Sequence, residues 1–115
     1  MSDDGAIVLD ILAACRRIGR FLDGVDEGAF QSDDEKHWAV ASQLSIIGEA
    51  VSRLSSGFRE RHPKIAWRRM AGMRNRLIHE YDKINWELVW RTAKTEVPSL
   101  QAELEPSLGS DPSSA

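Results

Sequence analysis

The sequence predicts an all-α protein, an antiparallel bundle of four helices. Three observations predict it. Apolar residues recur at three- and four-residue spacing along most of the chain, no strand-like alternation runs beyond a few residues, and the polar, Gly- or Pro-containing breaks between periodic runs are short. At 115 residues the chain is expected to form one domain around one modest core.

Each helix can be read in order. Ile7, Ile11, Cys15, Ile18 and Leu22 mark a first amphipathic helix over about residues 4–22. The stretch DGVDEG reads as a connector. Ser32 or Asp33 is placed to cap a second helix that runs to about Ser55, with Val40, Leu44, Ile47, Val51 and Leu54 facing inward. Gly48 interrupts this helix at a cost of about 1 kcal/mol relative to alanine, which points to close approach of a neighbouring helix. SSGFRERHP ends the second helix. A third, bearing Ile65, Trp67, Met70, Leu77 and Ile78, follows Pro63 and ends near His79. Asn85 caps a fourth with Trp86, Val89, Trp90, Ala93, Val97 and Leu100 on its apolar face, and Pro98 is expected to kink or shorten it. The domain is expected to span residues 1–104, and the Pro-, Ser- and Gly-rich residues 105–115 to form a disordered tail.

Composition narrows the function classes. With 42% hydrophobic and 29% charged residues this is the composition of a soluble globular protein, and no apolar run approaches the roughly 20 residues that span a bilayer. The acidic start MSDDGAIVLD lacks the basic flank and apolar run of a signal peptide, and the single cysteine excludes an intramolecular disulfide. A cytoplasmic location and no membrane partner are therefore expected, with Cys15 an inert core residue. No Gly-rich phosphate loop, Cys pair or His/Asp/Glu cluster at metal-ligand spacing occurs, so neither a metal nor a cofactor is expected. His37 and His62 stand isolated and read as structural or surface residues.

The net charge of −3 is unevenly spread: residues 59–76 carry seven Arg or Lys against one Glu, a local +6 on a body that sums to −9. Such a segment attracts a polyanion locally, and Arg68, Arg69 and Arg76 are its candidate RNA contacts. Nothing in it has a helix-turn-helix layout, which disfavours a DNA-binding regulator.

MRNRLIHEYDKINW, residues 73–86, concentrates the chemistry. Arg74 is a permanent cation that can grip phosphate through parallel donors, and His79 can take and give a proton near neutrality. Together they suit cleavage of an RNA phosphodiester by attack of the 2′-hydroxyl, with Arg74 stabilising the charge that develops on phosphate. Positions five apart on a helix differ by about 140°, so Arg74 and His79 do not share a face of one straight helix. Either the helix ends near His79, or a second copy completes the site, bringing two arginines and two histidines together. Asn75, four residues before His79, is a candidate to orient the imidazole. The other reading of these residues is that Arg74, Arg76 and Glu80 form exposed ion pairs while Tyr81 covers the helix end.

R-x4-H-x-Y, filled by Arg74, His79 and Tyr81, resembles the signature of HEPN-domain ribonuclease toxins of the HepT type. The resemblance spans roughly residues 7–104 and includes IIGEA at Ile46–Ala50, FRERHPKIAWRRMAGMRNRLIH at Phe58–His79 and INWELVW at Ile84–Trp90. It implies a HEPN-like helical bundle that forms a homodimer through the motif-bearing helices. The implied activity is that of a metal-independent endoribonuclease toxin with catalytic Arg74 and His79 at the subunit interface. It also implies a partner: an MNT-type nucleotidyltransferase antitoxin that places AMP on Tyr81, adding charge and bulk that oppose RNA. The alternative is a non-catalytic helical subunit that only binds that nucleotidyltransferase or a nucleotide, with Arg74 and His79 serving the interface. Glu80 departs from the small residue common at that position in similar sequences, and its carboxylate is expected to weaken activity. Glu49 in IIGEA is expected to pair with a basic residue of the third helix.

Overall fold

A computed structural model describes residues 3–79 and 83–109, with Ile78, His79 and Gly109 described by their backbone. Among the described residues every regular element is helical, in the order α1 (Asp4–Phe21), α2 (Glu27–Gln31), α3 (Asp34–Arg53), α4 (Ser56–Glu60), α5 (Trp67–His79), α6 (Trp86–Arg91) and α7 (Val97–Gly109). The four long segments expected from periodicity are α1, α3, α5 and the continuous run from α6 to α7, and they form the helical bundle. α3 packs between α1 and α5, and α7 returns against α1.

The core forms where these faces meet. Val8, Ile11, Leu12, Cys15 and Ile18 of α1 pack with Val40, Leu44, Ile47 and Val51 of α3, all 1% exposed or less. Met70, Met73 and Leu77 close it from α5, and Val89, Ala93, Val97, Leu100 and Leu104 from the last run. Each fully buried aliphatic side chain contributes about 1.5–3 kcal/mol relative to exposure. Burial pushes the Cys15 thiol up to about 12, so the thiol keeps its proton near neutrality and is no nucleophile.

Two short helices lie where connectors were expected. The Asp26 carboxylate accepts from the Ala29 N–H at 2.8 Å and starts α2 within DGVDEG, which drives Phe30 fully into the core. Ser55 likewise caps α4 by accepting from the Phe58 N–H at 3.1 Å, and Asp4 of α1 accepts from both the Ser55 N–H and its hydroxyl. Of the two caps offered for α3, Asp33 is the one used, accepting from the Lys36 N–H at 3.1 Å. Asn85 caps α6 as expected, accepting from Leu88.

Pro98 does not shorten the last helix. Thr92–Glu96 forms a π-type stretch in which Val97 donates to the carbonyl of Thr92, five residues back. The widened turn shifts the bonding just before a residue that has no N–H and whose ring would crowd the carbonyl four residues earlier. α7 then continues through Pro106 to Gly109, so the boundary expected at residue 104 falls inside the helix, with Leu104 buried and Leu108 packed on the core. Residues 110–115 lie outside the described residues.

His37 and His62 are taken up in packing. His37 stacks on Trp86 at 4.2 Å between ring centroids and lies against Phe30 at 4.9 Å. His62 lies on Phe58 at 4.5 Å, with its Nδ1 3.6 Å from a Glu103 carboxylate oxygen.

Candidate active site

The site is built on α5 and on the helix beside it. α5 buries Met70, Met73 and Leu77, and this orients the rest of the helix. At 100° per residue, Arg74 falls on the flank next to α3. There α3 presents Gly48, and the two backbones come together. A Cβ built on Gly48 would collide with the Cβ of Arg74 and would lie 3.1 Å from the Met70 carbonyl oxygen. The close approach inferred from a glycine inside a helix is thus real, and its partner is Arg74.

One residue on, Glu49 receives the Arg74 Nε–H at 2.7 Å. This is the pairing expected between IIGEA and the third helix. The Asn75 side-chain oxygen accepts from Arg74 Nη1 at 3.1 Å. Glu49 takes the Nε–H and Asn75 one Nη1 N–H, and among the described residues the two Nη2 N–H groups and the second Nη1 N–H have no hydrogen-bond partner, so they are the donors available to an oxyanion. Arg74 is 32% exposed and Glu49 52%, so the pair adds at most about 1 kcal/mol of stability. Its consequence is orientation.

Asn75 is thereby bound through its oxygen to Arg74, leaving its amide N–H groups as the end that can turn toward position 79, one helical turn on. His79 is the last residue of α5. Glu80 and Tyr81 lie outside the described residues. On the backbone, positions 74 and 79 remain about 140° apart around α5.

The other candidate arginines stand on the far flank of α5. Arg68, Arg69 and Arg76 line a groove of about 470 Å³ whose second wall is α6 and the π stretch, with Arg91, Thr92 and Glu96. Arg69 is paired with Glu96 at 3.1 Å. Arg91 was not singled out from sequence. It reads there as one more charge on an amphipathic helix, and only the fold places it across a groove from α5. Among the described residues there is no group of three or more His, Cys, Asp or Glu placed to hold a metal ion. No helix among them is long and apolar enough to cross a membrane.

Comparison with known proteins bears on this arrangement. The family described as "Ribonuclease HepT-like" matches residues 11–106. A protein of Caldanaerobacter subterraneus named "Putative RNase TTE0752" is 38% identical over 95 residues, covering 83% of this chain and 85% of that protein. "Putative RNase MJ1380" of Methanocaldococcus jannaschii is 36% identical over 103 residues, covering 90% and 94%. "Probable ribonuclease HepT" of Thermococcus cleftensis is 38% identical over 96 residues, covering 84% and 87%. No solved structure matches the chain.

Proposed function

Because the chain belongs to the HepT-like ribonuclease family, we propose that it is a cytoplasmic endoribonuclease toxin of a two-component toxin–antitoxin pair, cleaving RNA at Arg74 and His79 without a metal or cofactor. The observation that carries this reading is the Arg74 guanidinium, oriented by Glu49 at Nε and by Asn75 at Nη1, with its other N–H groups unpartnered among the described residues. That is the disposition needed to meet charge developing on a phosphate. His79 acts in proton transfer. It takes the proton of the 2′-hydroxyl as that oxygen attacks phosphorus, and the 5′-oxygen leaves with a proton from an acid, giving a 2′,3′-cyclic phosphate and a 5′-hydroxyl.

One histidine cannot be base and acid in the same step. The 140° between positions 74 and 79 points the same way, to a homodimer in which α5 of each copy contributes. The second copy's histidine then serves as the acid. An MNT-type nucleotidyltransferase antitoxin neutralises the toxin by transferring AMP to Tyr81, two residues from His79. The added phosphate repels RNA and its adenosine occupies the approach.

Induction in a bacterial host tests this reading. Wild type is expected to arrest growth, His79→Ala to leave growth normal, and co-expression of the nucleotidyltransferase to relieve arrest while adding AMP at Tyr81, read by mass spectrometry. Folded wild-type protein with unmodified Tyr81 that leaves growth unaffected overturns the toxin assignment. A His79→Ala variant that still arrests growth moves the chain to the class of non-catalytic partners.

A further inference from the structure

The groove on the far flank of α5 is separate from the Arg74 corner, which faces α3. Its walls carry four arginines, 68, 69, 76 and 91, against one carboxylate, Glu96. Glu96 is engaged by Arg69, whereas Arg68, Arg76 and Arg91 have no carboxylate at ion-pair distance among the described residues. Arg69 and Arg76 lie seven residues, about 10 Å, apart along the α5 wall, and Arg91 stands on the wall opposite. The cations thus form a row with a facing member, which suits a linear polyanion better than a point charge. On the floor, Thr92 is 2% exposed and its hydroxyl has no hydrogen-bond partner among the described residues. It lies in the π stretch, an irregularity that is frequent at functional sites. Gly72 also lines the groove, and a Cβ placed there would meet nothing within 4 Å, so the surface of α5 is open at that point.

We propose that the groove between α5 and α6 is a second phosphate-binding subsite, holding the RNA strand that flanks the scissile bond; this rests on the ribonuclease reading above. The strand lies along the Arg69–Arg76 row with Arg91 opposite and crosses α5 near Gly72 to reach Arg74. The contacts are to phosphate oxygens, so the subsite adds affinity without reading sequence.

The test is equilibrium binding of fully 2′-O-methylated RNA oligonucleotides, which cannot be cleaved, to Arg76→Gln, Arg91→Gln and the double variant. Each glutamine is expected to weaken binding roughly three- to ten-fold at low salt and to lower the slope of log affinity against log salt by roughly 0.7. The loss should be larger for long oligonucleotides than for short ones. Arg20→Gln, an exposed arginine of α1, is expected to bind as wild type. Unfolding curves show whether each variant is folded before it is scored. Folded Arg76→Gln and Arg91→Gln proteins that bind with wild-type affinity and salt slope overturn the subsite. So does a pair of variants that keep RNA binding and lose only association with the nucleotidyltransferase, which would make the groove a protein-docking surface. Wild type that binds through this groove but never cuts RNA refutes the nuclease reading and leaves the subsite standing.

Discussion

Arg74→Ala is expected to lower the rate of RNA cleavage by about two to three orders of magnitude while the protein stays folded. In the proposed mechanism the rate effect follows from removing a positioned cation that meets the developing phosphate charge. Stability should barely change, because the ion pair with Glu49 is partly exposed and water takes over solvation of a carboxylate that is already 52% exposed. Arg74→Lys is expected to recover little. An ammonium can meet either Glu49 or a phosphate, whereas the guanidinium offers Nε to one and its outer nitrogens to the other. Single-turnover cleavage and thermal unfolding, measured on the same preparations, separate the two effects. A Lys variant with wild-type rate would show that only charge is needed at this position.

Gly48→Ala is expected to harm both stability and activity, although it touches no reacting group. Two effects of opposite sign compete. Alanine in a helix interior gains about 1 kcal/mol over glycine. Against that, the new methyl group collides with the Arg74 Cβ and crowds the Met70 carbonyl, which are fixed parts of α5 and not the far end of a flexible chain. Overpacking of this kind costs about 1–3 kcal/mol and forces the two helices apart. The net expectation is a fall in Tm of roughly 5–10 °C. The same displacement moves the guanidinium away from Glu49, so cleavage should fall about ten-fold or more even at temperatures where the variant is folded. Gly48→Val should do both more strongly. A Gly48→Ala protein with raised Tm and unchanged activity would mean that α3 and α5 are not held together at this point.

The long helices were legible because eighteen or more residues of periodicity outweigh local noise, as in α1 and α3. Their caps were legible where a single polar side chain decides the matter, as with Asn85. α2 and α4 were not, since five residues hold barely more than one turn; Asp26 and Ser55 mark their starts only once Phe30 and Phe58 are seen to be buried. Pro98 reads as a kink or an early end because the π stretch that accommodates it has no sequence signature of its own. In the candidate site, Arg74 and its neighbours stand together in the chain and could be singled out there. The glycine contact and the Glu49 pair join residues about 25 apart, so the sequence suggests them and only helix packing supplies the partner. Arg91 stands on a different helix from Arg76, and nothing local distinguishes it from any solvent-facing arginine.

In the proposed mechanism this chain cuts RNA through Arg74 and His79 with no metal. The most direct measurement is cleavage of end-labelled RNA by purified, folded protein with unmodified Tyr81, in excess EDTA, comparing wild type with His79→Ala. Wild type is expected to cleave as fast in EDTA as in magnesium and to leave 2′,3′-cyclic phosphate ends, and His79→Ala to be inactive in both. Cleavage that EDTA abolishes, cleavage by His79→Ala at the wild-type rate, or no cleavage by the wild type would contradict it.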